Sequence, residues 1–384
     1  MTLKVAKRGA IAPFIVMEVL RAANQRQAAG GDVIHLEVGQ PATSAPAKVR
    51  EAAKAALDSD RLGYTDALGI PPLRAAIARH YRDTYGVDVP VERVVATTGS
   101  SGAFLLSFLA AFEPGDRVAM VAPSYPAYRN ILSAVGVVPV EIPAGPETRF
   151  QLTPELLERA GGRFDGLIVA SPANPTGTML APDELAALAK WCDANRVRLV
   201  SDEIYHGVSY GRPCATALTS SSSAIVINSF SKYFSMTGWR LGWMIVPEDL
   251  ARSVESLAQN LYISPPSLSQ AAAVAAFDCR DELDANVARY AANRRLLLDR
   301  LPEAGFDRLA PADGAFYLYA DIGDLTNDSE AFCRRMLAET GVAATPGIDF
   351  DPERGRRYMR FSFAGSFEDM EAAAERLRRW IKGG

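Results

Sequence analysis

Short apolar runs alternate with amphipathic stretches between about residues 94 and 246. The runs are rich in β-branched residues and almost continuously apolar, which is typical of strands buried on both faces. Seven strands are predicted, at Val94–Thr97, Arg117–Val121, Val137–Ile142, Gly166–Ala170, Arg198–Ser201, Ala224–Asn228 and Leu241–Val246. Helices are predicted between several of them, for example at Gly102–Phe112 and Ala181–Asn195. The alternation predicts an α/β fold, with helices on both faces of a mostly parallel seven-stranded sheet.

The pattern changes after residue 247. Long helical patterns cover about 248–262 and 268–301, and they are followed by two strand candidates, Gly314–Asp321 and Arg360–Ala364, and a helix at 367–382. We therefore predict a three-layer αβα large domain at residues 45–275 and a smaller α+β domain at residues 276–384. Residues 1–44 are expected to pack with the small domain.

Composition and charge exclude several classes of partner. The net charge of −4 gives no general attraction to nucleic acid or to an anionic membrane, and no apolar run is long enough to span a bilayer. The four cysteines lie far apart without a CxxC pair, and the three histidines have no metal-ligand spacing. We expect a cytoplasmic protein that binds no nucleic acid, membrane or metal.

A lysine follows one of the predicted strands. Ser229, Ser231 and Lys232 come directly after the apolar run that ends at Asn228. The carboxyl edge of a parallel sheet is where such folds bind ligands. A lysine amine attacks an aldehyde only when deprotonated, and burial favours that state. Arg240, which is followed by Gly242, is suited to grip a phosphate. An isolated lysine is normally a surface residue, so the interpretation depends on its partners.

Polar side chains also follow two other strands. Asp202 and Tyr205 come after the run that ends at Ser201, and Asn174 lies in the segment Ala170–Gly177. An Asp at this position is often only a helix N-cap, and Asn, Pro and Gly together favour a turn. Both interpretations are compatible with a ligand, because a turn presents the Asn174 amide at the same edge of the sheet.

A Gly/Ser turn joins the first predicted strand to the next helix. The N–H groups at the start of a helix, together with the hydroxyls of Ser100 and Ser101 and the small Gly102, form a possible anion site. The turn lacks the glycine fingerprint that a nicotinamide dehydrogenase needs. Tyr125 follows the next strand, where it either stacks on a planar ring or is simply half-buried.

An arginine interrupts an apolar strand of the smaller domain. Arg360 needs a partner there, either a substrate carboxylate bound through two hydrogen bonds or a structural salt bridge. His206 follows Tyr205, and we expect it to have a structural role.

Taken in order, these motifs resemble the fold-type-I, pyridoxal phosphate (PLP)-dependent aminotransferases of class I/II, the aspartate aminotransferase-like superfamily. The similarity spans nearly the whole chain. The resemblance implies pyridoxal 5′-phosphate as cofactor and Lys232 as the catalytic residue, which forms a Schiff base with the cofactor and then transfers the proton. It further implies that Asp202 pairs with the pyridine nitrogen, while Asn174 and Tyr205 contact the ring oxygen.

The resemblance assigns the other site residues as well. The expected cofactor-binding residues are Ser100, Ser101, Gly102, Tyr125, Ser229, Ser231 and Arg240, most of them at the phosphate. Arg360 is expected to hold the substrate α-carboxylate, with Gly39 and Asn174 nearby. The family is typically a homodimer with shared active sites, so Tyr64 is expected to reach the phosphate in the partner subunit.

The resemblance predicts amino transfer between an L-amino acid and a 2-oxo acid such as 2-oxoglutarate. Aspartate-specific members of one subgroup carry an arginine shortly before a segment that matches Ile263–Pro266, and this chain has Gln259 and no arginine there. Neutral or aromatic amino acids are therefore favoured. A PLP-dependent C–S β-lyase on the same scaffold remains the alternative.

Overall fold

The computed structural model describes residues 3–59 and 61–383, so the outermost ends of the predicted N-terminal segment and small domain lie outside the described residues. The strands are β1 (Ile34–His35), β2 (Val94–Thr97), β3 (Arg117–Ala122), β4 (Val138–Pro143), β5 (Gly166–Ala170), β6 (Arg198–Asp202), β7 (Ile225–Ser229), β8 (Gly242–Ile245), β9 (Arg308–Leu309), β10 (Tyr317–Asp321), β11 (Val342–Ala343), β12 (Thr345–Pro346) and β13 (Tyr358–Ser362). The α-helices are α1 (Ile15–Ala28), α2 (Ala47–Ser59), α3 (Pro71–Tyr85), α4 (Gly99–Ala111), α5 (Ala127–Val135), α6 (Pro154–Ala160), α7 (Pro182–Asn195), α8 (Glu248–Leu261), α9 (Ser267–Ala273), α10 (Arg280–Glu303), α11 (Ser329–Thr340) and α12 (Phe367–Lys382).

Seven strands form the central sheet in the order β2-β8-β7-β6-β5-β3-β4. Strand β8 runs antiparallel to its neighbours β2 and β7, and the other pairs are parallel. The prediction of a mostly parallel seven-stranded sheet is therefore confirmed. Ser229 and Asp202 are the last residues of β7 and β6, so both lie at the carboxyl edge of the sheet.

The sheet is buried on both faces. Along β2, Val94 and Ala96 belong to one apolar cluster while Val95 belongs to another on the opposite face. In β6, Leu199 and Val200 divide in the same way. Because successive side chains of a strand point to opposite faces, a strand covered on both sides must be continuously apolar. The helices supply both covers, which gives the predicted three-layer arrangement.

A four-stranded antiparallel sheet, in the order β12-β13-β10-β9, forms a second unit with its own apolar cluster. Tyr319 of β10 pairs with Arg360 of β13, so the arginine lies in the middle of this sheet. The N-terminal strand β1 pairs in parallel with β11, which joins the N-terminal segment to this unit.

Two helix predictions need correction. The stretch predicted as one helix at 268–301 is α9, a 3₁₀ segment Val274–Asp278 and then α10. At this interruption the Phe277 side chain packs against the rings of Phe230 and Trp243, and this aromatic contact stabilises the break in the helix. The helix predicted at Gly102–Phe112 begins earlier, at Gly99, whose φ of +74° a glycine adopts without strain. No helix within the described ranges is long and apolar enough to cross a membrane.

Candidate active site

A single cavity at the carboxyl edge of the large sheet brings together most of the predicted site residues. Its lining includes Gly39, Ser100, Ser101, Tyr125, Asn174, Asp202, Tyr205, Ser231, Lys232, Arg240 and Arg360. Most of these residues come from the carboxyl ends of β5, β6 and β7 or the segments that follow them, from the start of α4, and from β13 of the smaller sheet. Gly39, Tyr125 and Arg240 lie in connecting loops. The cavity therefore lies between the two sheets, where the chain-distant motifs converge.

Lys232 is half-buried in this cavity. Its Nζ donates a hydrogen bond to the Gly39 carbonyl oxygen at 2.7 Å and lies 5.7 Å from the centre of the Tyr205 ring. Burial lowers the pKa of Lys232 to about 8, and the nearby charges of Arg360 and Arg240 act in the same direction. A lysine with this pKa is partly deprotonated near neutral pH, as attack on an aldehyde requires.

Asp202 is buried beside a tyrosine that the sequence analysis missed. Its Oδ2 accepts a hydrogen bond from the Tyr128 hydroxyl, and its Oδ1 accepts from the backbone N–H of Ile204 at 3.1 Å. Burial raises the pKa of Asp202 to about 6. The hydrogen bond from the Ile204 N–H is the kind of local contact that a capping Asp makes. Asp202 therefore makes this structural contact and also lines the cavity. Tyr128 is the second residue of α5 and lies three residues after Tyr125, and this closeness in sequence is the signal that could have indicated it.

Arg360 is buried but has no acidic partner among the described side chains. Its Nη1 donates to Asn174 Oδ1 at 2.7 Å, and its Nη2 donates to the Glu37 carbonyl oxygen at 2.5 Å. Its Nε has no hydrogen-bond partner, and the guanidinium carbon lies 4.3 Å from the centre of the Tyr317 ring. A buried cation with free donor capacity is suited to bind a carboxylate. The alternative of a structural salt bridge has no support in these contacts.

Tyr317 is a second residue that the sequence analysis missed. Its hydroxyl lies 2.6 Å from the hydroxyl of Tyr205. A Cβ added to Gly39 would lie 1.6 Å from the Tyr317 hydroxyl, so only glycine fits there. Tyr317 lay within a predicted strand, but the alternation of that strand alone did not indicate a site.

Donors converge where the first turn of α4 faces Arg240. Ser100, Ser101, Ser231 and Thr237 line this part of the cavity. A Cβ at Gly99 would lie 2.8 Å from Arg240 Nη2, so the glycine lets the guanidinium approach the start of the helix. Helix N–H groups, hydroxyls and a guanidinium without an intervening acid form a donor set that fits a phosphate group.

Three predicted residues do not line the cavity. Gly102 is buried behind it, where a Cβ would lie 2.5 Å from Thr98 Oγ1. Ser229 Oγ lies 2.9 Å from Ser231 Oγ and accepts from the Ser231 backbone N–H at 3.1 Å, so it orients the serine that does line the cavity. Tyr64 is 85% exposed and lies in a separate surface groove with Arg61 and Ser264–Ser267.

The remaining wall of the cavity is apolar. Phe14, Val16 and Met17 at the start of α1 face the cavity together with Val38 and Ile204. The Phe14 ring packs edge-on against Tyr125, with 5.7 Å between the ring centres. The charged side chains of the lining are Asp202, Lys232, Arg240 and Arg360. Besides Lys232, the cations of this lining are Arg240, which lies against the start of α4, and Arg360.

Comparison with known proteins identifies the class of this site. Residues 31–377 match the family model described as aminotransferase class I and II. The chain belongs to this family of PLP-dependent aminotransferases, and the predicted superfamily, enzyme class and cofactor are confirmed. No cluster of metal-ligating side chains occurs in residues 3–59 and 61–383.

Individual relatives cover the whole chain. A Mycobacterium tuberculosis protein named valine–pyruvate aminotransferase is 56% identical over 385 residues, which is 99% of each chain. The crystal structure of an aminotransferase from Mycobacterium tuberculosis has a TM-score of 0.98 at 55% identity over 100% of both chains. A Thermus thermophilus aspartate aminotransferase with maleate has a TM-score of 0.92 at 32% identity, covering 98% of this chain and 100% of its own. These relatives are aminotransferases, and none of them supports the C–S β-lyase alternative.

Proposed function

We propose that this enzyme transfers an amino group between a branched, neutral L-amino acid such as valine and a 2-oxo acid such as pyruvate or 2-oxoglutarate. The proposal rests on the apolar residues Val16, Met17 and Val38, which line the same cavity as Arg360. That wall can bury an aliphatic side chain, and Arg360 can bind the α-carboxylate. The relative named valine–pyruvate aminotransferase, at 56% identity, supports the same substrate pair.

The proposed roles follow from the donor set. PLP, when bound, supplies the electron-withdrawing ring on which amino transfer depends. Lys232 accepts and returns the proton at the substrate carbon, which its lowered pKa favours. The carboxylate of Asp202, which Tyr128 orients, would pair with the pyridine nitrogen and keep it protonated. Ser100, Ser101, Ser231 and Arg240 would hold the phosphate, and Asn174 and Tyr205 would hydrogen-bond the ring oxygen.

A dicarboxylate substrate is the competing proposal, because several relatives at 30–33% identity are named aspartate aminotransferases. Such a substrate needs a second cation for its side-chain carboxylate. Arg61, in the surface groove with Tyr64, is the candidate that a partner subunit would contribute. We favour valine because the residues that this chain itself supplies for the substrate side chain, Val16, Met17 and Val38, are apolar.

We further propose a homodimer with shared sites. Tyr64 is 85% exposed and shares its groove with Ser264 and Pro265, in the segment Ile263–Pro266. An exposed aromatic side chain in a surface groove of mixed polar and apolar residues is suited to an interface. A location in the cytoplasm is proposed on the four free cysteines, and cell fractionation tests it.

The domain division is proposed as residues 45–275 for the large domain and 276–384 for the small one, with residues 1–44 attached to the latter. The pairing of β1 with β11 and the bond from Arg26 Nη1 to the Ala338 carbonyl support the attachment. Structures with and without bound substrate test it. Residues 3–44 should keep their distances to the four-stranded sheet, and movement with the large sheet would contradict the division.

A panel of amino donors against pyruvate and 2-oxoglutarate tests the substrate proposal. Valine with pyruvate should give kcat/KM at least about 10-fold above aspartate, because an apolar wall leaves a second carboxylate unpaired. Lys232→Ala should abolish transfer and the visible absorption band of the bound cofactor, whereas the exposed Lys190→Ala should change neither. A preference for aspartate would refute the valine proposal, and steady release of pyruvate and ammonia from one substrate would favour a lyase.

A further inference from the structure

Helix α1, which forms part of the apolar wall, is capped by a residue far away in the sequence. Its N-cap residue Phe14 has no side chain that can accept a hydrogen bond. The free N–H groups of Ile15 and Val16 instead donate to the two carboxylate oxygens of Asp349, at 3.2 and 3.1 Å. Asp349 is 334 residues away from Ile15, so the cap is a tertiary contact.

Asp349 connects three walls of the cavity. It is 1% exposed and lies in the 3₁₀ turn Gly347–Asp349, directly after β12 of the sheet that carries Arg360. Its carbonyl oxygen accepts from Arg129 Nη2 at 2.5 Å, and Arg129 belongs to α5 with Tyr128. The next residue, Phe350, places its ring centre 4.7 Å from the guanidinium carbon of Arg360. Asp349 therefore ties α1 to α5 through its carbonyl oxygen, and its neighbour Phe350 contacts Arg360.

The rest of α1 is weakly anchored. Val16 and Ala23 are the buried residues of the helix, so apolar packing along it is sparse. At its other end, Arg26 holds the helix through the carbonyl oxygens of Asp32 and Ala338. The first turn, which brings Val16 and Met17 to the cavity, has Asp349 as its polar attachment. The negative carboxylate also lies at the positive end of the helix dipole.

We propose that Asp349 is a positioning residue for substrate recognition, which holds the first turn of α1 where Val16 and Met17 contact the side chain of the amino donor. The identity of the donor as valine rests on the function proposed above. Asp349 touches neither the cofactor position nor the reacting atoms, so its loss should weaken donor binding more than it slows the proton transfer at Lys232.

Steady-state kinetics of the PLP-bound enzyme test this role. Asp349→Ala should raise KM for valine about 10-fold, with kcat within about 2-fold of wild type, because one charged cap is lost. Asp349→Asn keeps one acceptor oxygen and should raise KM for valine by less. If the alanine variant does not fold, the asparagine variant is used for the test instead. The matched control is Asp328→Ala, which removes the carboxylate that accepts from Ala331 N–H at the start of α11, away from the cavity.

Hydrogen exchange of residues 15–19 separates this proposal from the substrate proposal. Asp349→Ala should speed exchange in this turn without changing α11, whichever donor the enzyme prefers. If wild type does not use valine, the substrate proposal fails, and KM is then measured with the donor that it does use. Unchanged exchange, an unchanged KM, an equal rise in KM for Asp328→Ala, or a fall in kcat alone would each overturn the role of Asp349.

Discussion

Two neighbouring acids at the end of β6 have different environments. Asp202 faces the cavity, whereas Glu203 is buried behind it and accepts from Ser201, Thr216 and the Ala217 backbone N–H. Burial raises the pKa of Glu203 to about 8. Its Oε2 has no hydrogen-bond partner and lies 3.5 Å from His206 Nδ1.

His206 connects this buried network to the turn that carries Asn174. Its Nε2 donates to the Ser171 carbonyl at 3.1 Å, and its Nδ1 accepts from the Tyr85 hydroxyl at 2.7 Å. Burial lowers the pKa of His206 to about 3, so the ring is neutral at physiological pH. These contacts are compatible with the structural role predicted for His206.

Glu203→Gln should reduce the pH dependence of stability of the cofactor-free enzyme. Between the ordinary pKa of 4.5 and the folded value of about 8, the folded state holds a proton that the unfolded state has lost. Ionisation of Glu203 therefore lowers the stability of the wild type as the pH rises through this window, by about 1.4 kcal/mol for each pKa unit of difference.

Urea unfolding at several pH values between about 5 and 8 measures this effect. The glutamine variant, which cannot ionise, should lose less stability over the range. Asp202, with its pKa raised to about 6, contributes a decrease of the same sign in both proteins. Lys232 contributes the opposite sign above its lowered pKa of about 8. His80 and His206, whose pKa values are lowered to about 4 and about 3, contribute the opposite sign below their ordinary pKa of 6.5. Identical slopes for wild type and variant would show that Glu203 is ionised in the folded state.

At the scale of elements, the break between α9 and α10 shows tertiary packing overriding helical periodicity. The residues at 268–301 have a helical pattern, yet 274–278 are 3₁₀. The ring centre of Phe277 lies 5.6 Å from that of Phe230 and 5.3 Å from that of Phe234. Phe230 and Phe234 flank Lys232 in sequence, so the packing of Phe277 against them helps to fix the segment that carries Lys232.

Phe277→Ala should destabilise the enzyme by about 2–3 kcal/mol, less than for a fully buried phenylalanine because the ring is half-buried. Chemical denaturation measures the change. The control Phe367→Ala removes a ring that is 36% exposed at the start of α12 and should cost less. Equal losses in the two variants would contradict a special contribution of the aromatic cluster.

At the scale of the whole molecule, Tyr64 is predicted to complete the site of a second subunit. Tyr64→Ala should weaken cofactor binding about 10-fold through loss of one hydrogen bond to a charged phosphate. Sedimentation should give twice the chain mass of 41.4 kDa.

Mixing two defective variants tests whether the sites are shared. Lys232→Ala and Tyr64→Ala chains, unfolded and refolded together at limiting PLP, should form hybrids with one intact site. Random pairing then restores at most about one quarter of wild-type activity. The control mixes wild type with the double variant, whose hybrids contain no complete site. A monomer, or a mixture no more active than its components, would contradict the shared site.

The apolar pattern of the chain is enough to locate the seven strands of the large sheet and the polar residues at their carboxyl ends. These features are local, because burial on both faces requires continuous apolar runs, and polar residues that follow such runs must lie at the sheet edge. Lys232, Asp202 and Asn174 were predicted from that pattern, and all three line the cavity.

The contacts between segments that are distant in sequence are visible only in the folded structure. The bond from Tyr128 to Asp202 spans 74 residues, and the contact of Tyr205 with Tyr317 spans 112. The bond from Val16 to Asp349 spans 333 residues. Periodicity indicates which face of an element is buried, but not which element covers it. The partners of the lysine and of the apolar wall are therefore set by the packing of the two sheets and α1.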